Sequence, residues 1–302
     1  MSDVLSYDHG DPNKTKLTDD LEKLLKDNNI PTLGLGVIED GKLTQIKVYG
    51  KLNDKTSASY NSLFNVASLT KPVTAMTVLR LVSLGKWNLD EPLYKYFTDP
   101  DIANDPRNKK LTTRMVLSHQ TGFKNWRGMN KDSKLNFDFE PGTKYQYSGE
   151  GFEYLRKAIE KKFNKSLEEL AKEFVFQPLN MNDTSYIWNE KKQADRIVIG
   201  YDKNGKPYDI VKNKSANAAD DLMTSVEDYS KFLIGVMNNE LLSQEVFEDL
   251  KTNQIETKKN KYFGLGFEIY DLGNNEISLS HSGSDQGVNT FAIILPKTKK
   301  VL

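Results

Sequence analysis

Strand-like segments stand at both ends of this chain, with helical patterns between them. Near the N-terminus, an apolar run over 33–38, an Asp-Gly turn and an alternating return predict a β-hairpin. Near the C-terminus, further strands are predicted at 262–270, 276–283 and 288–295. This order favours an α+β fold, in which an antiparallel sheet with flanking helices is built from both chain ends and a mostly helical lobe is inserted in the middle.

The predicted domain is single and covers residues 17–302. Its sheet lobe and helical lobe are expected at about 17–65 with 225–302, and at about 66–224, respectively. Residues 1–16 are polar and are predicted to be a disordered lead-in, followed by a short helix that Thr18 can cap. They lack the apolar run of a secretory signal, so the sequence leaves the compartment open.

Composition excludes several functional classes. The 42 Lys plus Arg balance the 42 Asp plus Glu, so no basic excess points to nucleic acid. The chain has no cysteine, which removes disulfides, thiol nucleophiles and thiolate metal sites. No segment approaches the roughly 18 consecutive apolar residues of a membrane span. An ordinary globular enzyme or binding protein remains.

Common hydrolase and cofactor motifs are missing from the sequence. There is no G-x-S-x-G elbow and no H-E-x-x-H pair, and His9, His119 and His281 do not have metal-ligand spacing. Gly34 and Gly36 lie inside the first predicted strand, where a dinucleotide-binding interpretation is weak. We therefore expect no metal and no organic cofactor.

The stretch FNVASLTKPVTA (64–75) carries a Ser-x-x-Lys motif, with Ser68 three residues before Lys71. The motif opens a predicted helix over 68–84 that is apolar nearly all round and therefore expected to be buried. On a helix the two side chains share a face, and apolar surroundings lower the pKa of a lysine. A neutral amine can then take the proton of the hydroxyl, which makes the serine a nucleophile. The alternative is a serine N-cap beside a solvent-facing lysine.

A second Ser-x-x-Lys match, Ser83 to Lys86, is interpreted as structural. It stands at the end of the same predicted helix, where Gly85 suits a C-cap and a lysine suits the helix dipole.

Two further stretches add polar groups. PGTKYQYSGEGF (141–152) brings a Tyr-Ser pair just before a helical segment, and LSHSGSDQG (279–287) ends a strand in a polar turn. A polar turn at a strand edge can present backbone N–H groups to an oxyanion.

Together these stretches resemble the serine β-lactamase and penicillin-binding protein superfamily, in the branch of class C β-lactamases, D-amino-acid peptidases and related esterases. The resembling stretches run in order over most of the chain: IPTLGLGVIEDGK, FNVASLTKPVTA, LVSLGKWNLDEPLYKYF, MVLSHQTGF, PGTKYQYSGEGF, PLNMNDTSY, AADDLMTSVEDYSKFL, YFGLGF and HSGSDQG. The resemblance implies a β-lactamase/transpeptidase-like fold. It also implies a serine hydrolase that forms an acyl-enzyme, and it favours an extracytoplasmic location.

The resemblance implies a role for each matching residue. Ser68 would be the acylated nucleophile and Lys71 its partner. Tyr147 would stand in the place of the family's second-motif tyrosine, which shares proton transfer with the lysine, so we treat Lys71 and Tyr147 as a unit.

The third matching segment is implied to bind substrate. His281, Ser282 and Gly283 would stand where relatives have Lys-Thr-Gly or His-x-Gly. The backbone N–H groups of Ser68 and Ser284 would form the oxyanion hole.

Three departures from the family pattern affect the substrate expectation. Gly149 stands where many relatives have an Asn whose amide helps hold the substrate. His281 replaces a lysine, and a neutral imidazole is a weaker clamp for a substrate carboxylate near neutral pH. The last residues, 299–302, stand where relatives continue with another strand and a helix, so we expect a bare sheet edge that a partner or an oligomer could cover. Because of the departures at Gly149 and His281, ester or peptide substrates are favoured over penicillins.

Two function hypotheses follow. The first is a serine hydrolase that acts on a carboxylic ester, a D-amino-acid peptide or a β-lactam through Ser68. The second is a non-catalytic, penicillin-binding-like module that binds or senses cell-wall peptide. His119 is interpreted as a buried structural hydrogen-bonder, and Trp126 and Arg127 receive no role because a tryptophan in a loop can rim a cleft or simply pack.

Overall fold

Strands from both ends of the chain share one antiparallel sheet. The structure is a computed structural model that describes residues 12–301. Its strands are β1 (Thr32–Glu39), β2 (Lys42–Asn53), β3 (Thr56–Ser57), β4 (Leu63–Asn65), β5 (Met223–Ser225), β6 (Ile255–Lys258), β7 (Lys261–Phe263), β8 (Glu268–Gly273), β9 (Glu276–Asp285), β10 (Val288–Leu295) and β11 (Lys300–Val301). Nine of them form a sheet in the order β3-β2-β1-β11-β10-β9-β8-β7-β6, and β4 pairs with β5 in a second sheet. The predicted α+β arrangement is confirmed.

The helices lie mostly between the two groups of strands. They are α1 (Pro12–Asp27), α2 (Thr70–Ser83), α3 (Thr113–Leu117), α4 (Gly149–Phe163), α5 (Leu167–Ala171), α6 (Glu190–Gln193), α7 (Val226–Met237) and α8 (Gln244–Leu250). A 3-10 turn at Ala67–Leu69 leads into α2. Across the described residues, no helix combines the length and the apolar character needed to cross a membrane.

The first helix starts earlier than the sequence suggested. Helix α1 begins at Pro12, upstream of the predicted cap at Thr18, so it includes residues 12–16 of the predicted lead-in. Proline is compatible with the first turn of a helix, where its missing N–H costs nothing. Residues 1–11 of the predicted lead-in lie outside the described residues.

The strand predicted over 262–270 is wrong in one respect, because this segment forms the hairpin of β7 and β8. Gly266 adopts φ +90°, which an extended strand does not use, and a Cβ there would collide with the Ala75 side chain of α2. The amide of Gly264 donates to the carbonyl of Phe267 at 2.8 Å and closes the turn. The apolar alternation runs straight through this turn, which is why the sequence pattern concealed it.

Two glycines of β1 let helix α7 pack closely on the sheet. An added Cβ at Gly34 would lie 2.6 Å from the Cγ2 atom of Val226, and one at Gly36 would meet the Ser230 hydroxyl. These glycines therefore serve packing between a strand and a helix.

Helix α2 lies in the centre of the molecule, as its apolar character predicted. Its residues from Thr70 to Leu79 are all buried, and its apolar side chains belong to a cluster that includes residues of several other helices and of the sheet. The helix ends at Ser83, and Gly85 terminates it as predicted, with φ +66° and an amide that donates to the Val82 carbonyl at 2.8 Å. The second Ser-x-x-Lys match is thereby confirmed as a helix end.

The expectation of a bare edge at the end of the chain is wrong only where the last described residues pair, because β11 covers β10 at Ile294 and Leu295 alone and β1 at Ile38 alone. Lys300 pairs with Leu295, and Val301 pairs with both Ile294 and Ile38. This short β11 therefore joins the C-terminal half of the sheet to β1. The neighbouring Phe291 on β10 is 64% exposed, so an apolar ring does face outward from this part of the sheet.

Candidate active site

A sharp turn presents Ser68 at the base of α2. The preceding residue, Ala67, is fully buried and adopts φ +47°, a conformation that costs an L-residue roughly 1–2 kcal/mol. The Ala67 amide donates to Asn65 Oδ1 at 2.7 Å, and the Leu69 amide donates to the Val66 carbonyl at 3.1 Å. These bonds hold the unfavourable backbone in place. Strained residues of this kind concentrate at functional sites.

Lys71 reaches back to Ser68, as the three-residue spacing predicted. Its Nζ atom lies 2.9 Å from Ser68 Oγ and donates to the Ala219 carbonyl at 2.8 Å. Neither the turn nor α2 has a side-chain N-cap bond, and Lys71 is only 1% exposed. Both observations contradict the alternative of a capping serine beside a solvent-facing lysine.

Burial tunes the charge of this lysine. Removal from water lowers the pKa of Lys71 to about 7, and the nearby carboxylate of Asp220 opposes the shift. Burial in turn raises the pKa of Asp220, with the neighbouring charge of Asp221 adding to the effect and Lys71 opposing it. A large share of Lys71 is therefore neutral at physiological pH, the state in which an amine accepts a proton.

Tyr147 lies against the Ser68–Lys71 pair. Lys71 Nζ lies 4.7 Å from the centre of its ring, within cation–π range. Burial raises the pKa of Tyr147, and a polar contact with the Ser68 side chain opposes the increase. The phenol is therefore neutral at physiological pH and retains a proton that it can donate.

His119 packs against the ring of Tyr147 and is fully buried, which agrees with its interpretation as a structural residue. The two ring centres lie 4.3 Å apart. The Ser148 amide donates to His119 Nδ1 at 3.1 Å, and burial, together with the charge of Lys71, holds the pKa of His119 well below its ordinary value. His119 is thus a neutral packing partner of Tyr147.

Strand β9 closes the site from the sheet side. Its pairing with β8 extends only to Ser280, so the segment from His281 onward pairs with β10 alone and turns its other edge toward the Ser68 turn. An added Cβ at Gly283 would lie 2.8 Å from the amide nitrogen of Ser68 and 2.7 Å from the Val66 carbonyl. Only glycine fits this approach. The predicted oxyanion donors, the amides of Ser68 and Ser284, thus belong to two backbone segments in direct contact.

His281 is a neutral residue at this junction. It is 3% exposed, and its Nδ1 atom lies 2.8 Å from the Ser282 carbonyl and donates to it. Burial, reinforced by the charge of Lys71, lowers the pKa of His281 to about 3. Its Nε2 atom is buried and has no hydrogen-bond partner among the described residues. Ser282 is exposed on the same strand. The imidazole therefore supplies no positive charge near neutral pH.

Gly149 begins α4, two residues after Tyr147. The N-cap Ser148 accepts a hydrogen bond from the Gly151 amide at 3.0 Å, which fixes the start of the helix. The side of Gly149 where a Cβ would stand is occupied by the ring of Trp126. The amide group that many relatives carry here is therefore absent, as the sequence indicated.

The segment 218–222 was missed by sequence reasoning, although it holds Lys71. The hydroxyls of Thr70 and Thr74 bond to the Leu222 amide and the Ala218 carbonyl, at 3.0 and 2.8 Å. Glu153 on α4 accepts the Ala218 amide at 2.6 Å and is paired with the half-buried Arg156. Because these contacts mostly use backbone atoms of the segment, its residue types did not indicate them in the sequence.

Two carboxylates of this segment and one from β9 lie close together. Asp220, Asp221 and Asp285 each have an oxygen within 4.8 Å of the others. Asp221 also accepts a hydrogen bond from Asn65 at 3.1 Å. The group makes this rim of the cleft negative, which is unfavourable for a substrate carboxylate.

The fold is that of the serine β-lactamase and penicillin-binding protein superfamily. The sequence model of the Beta-lactamase family matches residues 17–302, and the chain belongs to that family. Among curated relatives, the Protein flp of Staphylococcus aureus strain MRSA252 is 25% identical over 302 residues, with 92% of this chain and 59% of that protein covered. The chain thus spans about three fifths of the length of this relative.

Solved structures agree on the fold. The octameric penicillin-binding protein homologue from Pyrococcus abyssi superposes with a TM-score of 0.81 at 23% identity, over 96% of this chain and 72% of that one. The D-alanine carboxypeptidase AmpC from Burkholderia cenocepacia gives a TM-score of 0.81 at 19% identity, over 95% and 91% of the two chains. At these identities the likeness establishes the fold alone.

Proposed function

We propose that this chain is a serine hydrolase that cleaves an ester or amide through an acyl-enzyme on Ser68. The observation that carries the proposal is the 2.9 Å contact between Ser68 Oγ and the buried amine of Lys71, whose pKa burial lowers to about 7. A buried amine in this state has a lone pair available for the hydroxyl proton. A serine that only capped a helix would need no such partner.

In the proposed acylation step, the Ser68 oxygen attacks the substrate carbonyl while its proton passes to the Lys71–Tyr147 unit. The carbonyl electrons move onto oxygen, and the amides of Ser68 and Ser284 stabilise the resulting oxyanion. When the tetrahedral intermediate collapses, the bond to the leaving group breaks and that group takes a proton from the Lys71–Tyr147 unit. Water then attacks the acyl ester, which releases the acid and restores Ser68.

The charges around the cleft favour substrates without a carboxylate next to the scissile bond. His281 is neutral near physiological pH, and Asp220, Asp221 and Asp285 line the neighbouring rim. A carboxylate there would meet this negative charge, and the neutral imidazole of His281 would not offset it. Carboxylic esters, and peptides whose carboxylate lies far from the cleaved bond, are therefore favoured over penicillins.

Intact-protein mass spectrometry with a fluorophosphonate and a penicillin tests the proposal. We expect the fluorophosphonate to add one adduct to the wild type and none to Ser68→Ala, with slower or absent labelling by the penicillin. Ser83→Ala is the matched control, because Ser83 belongs to the structural Ser-x-x-Lys match and should leave labelling intact. Folded wild-type protein that reacts with neither compound would refute the hydrolase and favour a non-catalytic peptide-binding module.

A further inference from the structure

The indole ring of Trp126 occupies the side-chain space of Gly149. A Cβ at residue 149 would lie 2.7 Å from Cη2, 2.9 Å from Cζ2 and 3.0 Å from Cζ3 of this ring. Gly149 does not adopt a positive φ, so its backbone conformation does not require glycine. The ring itself is what excludes any larger residue, and the two positions form a matched pair.

Trp126 is part of a firmly anchored segment. The amides of Gly149 and Glu150 donate to the side-chain and backbone oxygens of Asn125, at 2.8 and 2.9 Å. On the other side of Trp126, Arg127 pairs with Glu150 and with the buried Asp99, both at 3.0 Å. The ring is therefore a fixed wall whose position is set before any ligand arrives.

Through its neighbours, this ring is linked to both members of the proposed Lys71–Tyr147 unit. Gly149 lies two residues after Tyr147, and Trp126 also lines a cavity of about 320 Å³ together with Asn217. Asn217 in turn accepts the Ala219 amide at 3.0 Å, in the segment whose carbonyl binds Lys71. A substrate held at Ser68 that extends toward Gly149 and Asn217 would contact the indole.

We propose that Trp126 determines specificity for the acyl part of the substrate and selects flat, apolar acyl groups, aromatic ones above all. This inference rests on the proposed hydrolase function. The charged groups that line the cavity are already paired, for example Arg156 with Glu153 at 2.7 Å and Lys157 with Asp99 at 3.6 Å. The indole is the largest apolar side chain among the residues that line the cavity, and aromatic pairs contribute about 0.5–1.5 kcal/mol beyond area burial.

The test compares two esters with the same p-nitrophenyl leaving group, a phenylacetyl and an acetyl ester. We expect Trp126→Ala to lower the ratio of their kcat/KM values, phenylacetyl over acetyl, about tenfold. Trp126→Phe should keep most of the ratio. Tyr94→Ala, which removes an exposed aromatic from the surface 3-10 helix Leu93–Lys95, is the control for general effects. An unchanged ratio in folded Trp126→Ala would overturn the inference.

A double-mutant cycle tests the matched pair directly. Gly149→Asn alone should displace the indole and lower the same ratio, whereas Gly149→Asn in the Trp126→Ala background should cause little further loss. Additive effects would contradict the pairing. If the wild type turns over neither ester, the proposed hydrolase fails first. In that case, calorimetric titration with phenylacetate tests the role of Trp126 separately. Equal affinity of the wild type and Trp126→Ala for phenylacetate would overturn the inference about Trp126.

Discussion

Lys71 and Ala219 are joined by a hydrogen bond of 2.8 Å from a buried amine to a backbone carbonyl. The bond orients the amine, because a neutral amine that keeps one N–H on the Ala219 oxygen can turn its lone pair toward Ser68. The backbone loop thereby takes part in preparing the proposed nucleophile.

Acylation should depend on pH through Lys71. Burial lowers the pKa of Lys71 to about 7, so the ammonium form dominates below that pH and has no lone pair for the Ser68 proton. The rate of fluorophosphonate labelling is expected to rise with pH through about 7 and then level off. Stopped-time mass spectrometry across the neutral range measures this rate, and far-UV circular dichroism checks the fold at each pH. A flat profile would exclude Lys71 as the base.

Lys71→Met should abolish labelling and stabilise the fold. The folded-state pKa of Lys71 lies below its unfolded-state value, so the buried charge costs stability in full below about pH 7. That cost fades as the pH rises from there toward the ordinary value of lysine. We therefore expect a gain of about 1 kcal/mol in the free energy of unfolding at the lower pH, and less at the higher. Urea unfolding of both proteins at two pH values would reveal the opposite trend if the amine stabilised the fold.

Glu153 should act as a positioning residue for Lys71. Glu153→Ala removes the acceptor of the Ala218 amide and leaves the half-buried Arg156 without this partner, which should cost about 1–3 kcal/mol of stability. Labelling should slow, and its pH midpoint should move because the Ala219 carbonyl is no longer held. Glu153→Gln keeps an oxygen acceptor and should restore much of the rate and the midpoint. Equal pH midpoints in all three proteins would reduce Glu153 to a purely structural role.

Gly283→Ala should separate β9 from the Ser68 turn. The new methyl group would collide with the Thr290 hydroxyl, the Val66 carbonyl and the Ser68 amide. Overpacking of this kind typically costs about 1–3 kcal/mol, and labelling should fall by more than about tenfold as the amides of Ser68 and Ser284 move apart. Gly128→Ala is the matched control, since a Cβ at Gly128 meets nothing within 4 Å. Similar labelling of the two variants would argue against an oxyanion hole at this contact.

Sequence reasoning succeeded where residue type and spacing carry the signal. The two groups of strands, the buried helix α2 and the pairing of Ser68 with Lys71 all follow from periodicity and from the reach of a side chain along one helix face. It failed where contacts depend on backbone atoms or on distant chain segments. One such contact is the hydrogen bond from Lys71 to the Ala219 carbonyl. Another is the packing of the Trp126 ring into the space beside Gly149.

One hydrogen bond of this site joins two residues that lie far apart in the sequence. The Thr290 hydroxyl donates to the Val66 carbonyl at 2.9 Å across a separation of 224 residues. Contacts over such distances form late, because a long loop must close before they stabilise anything. During synthesis the Ser68 turn therefore leaves the ribosome long before β9 and β10 exist to complete it. Ser68 of the nascent chain should therefore not react with a fluorophosphonate until β9 and β10 have emerged.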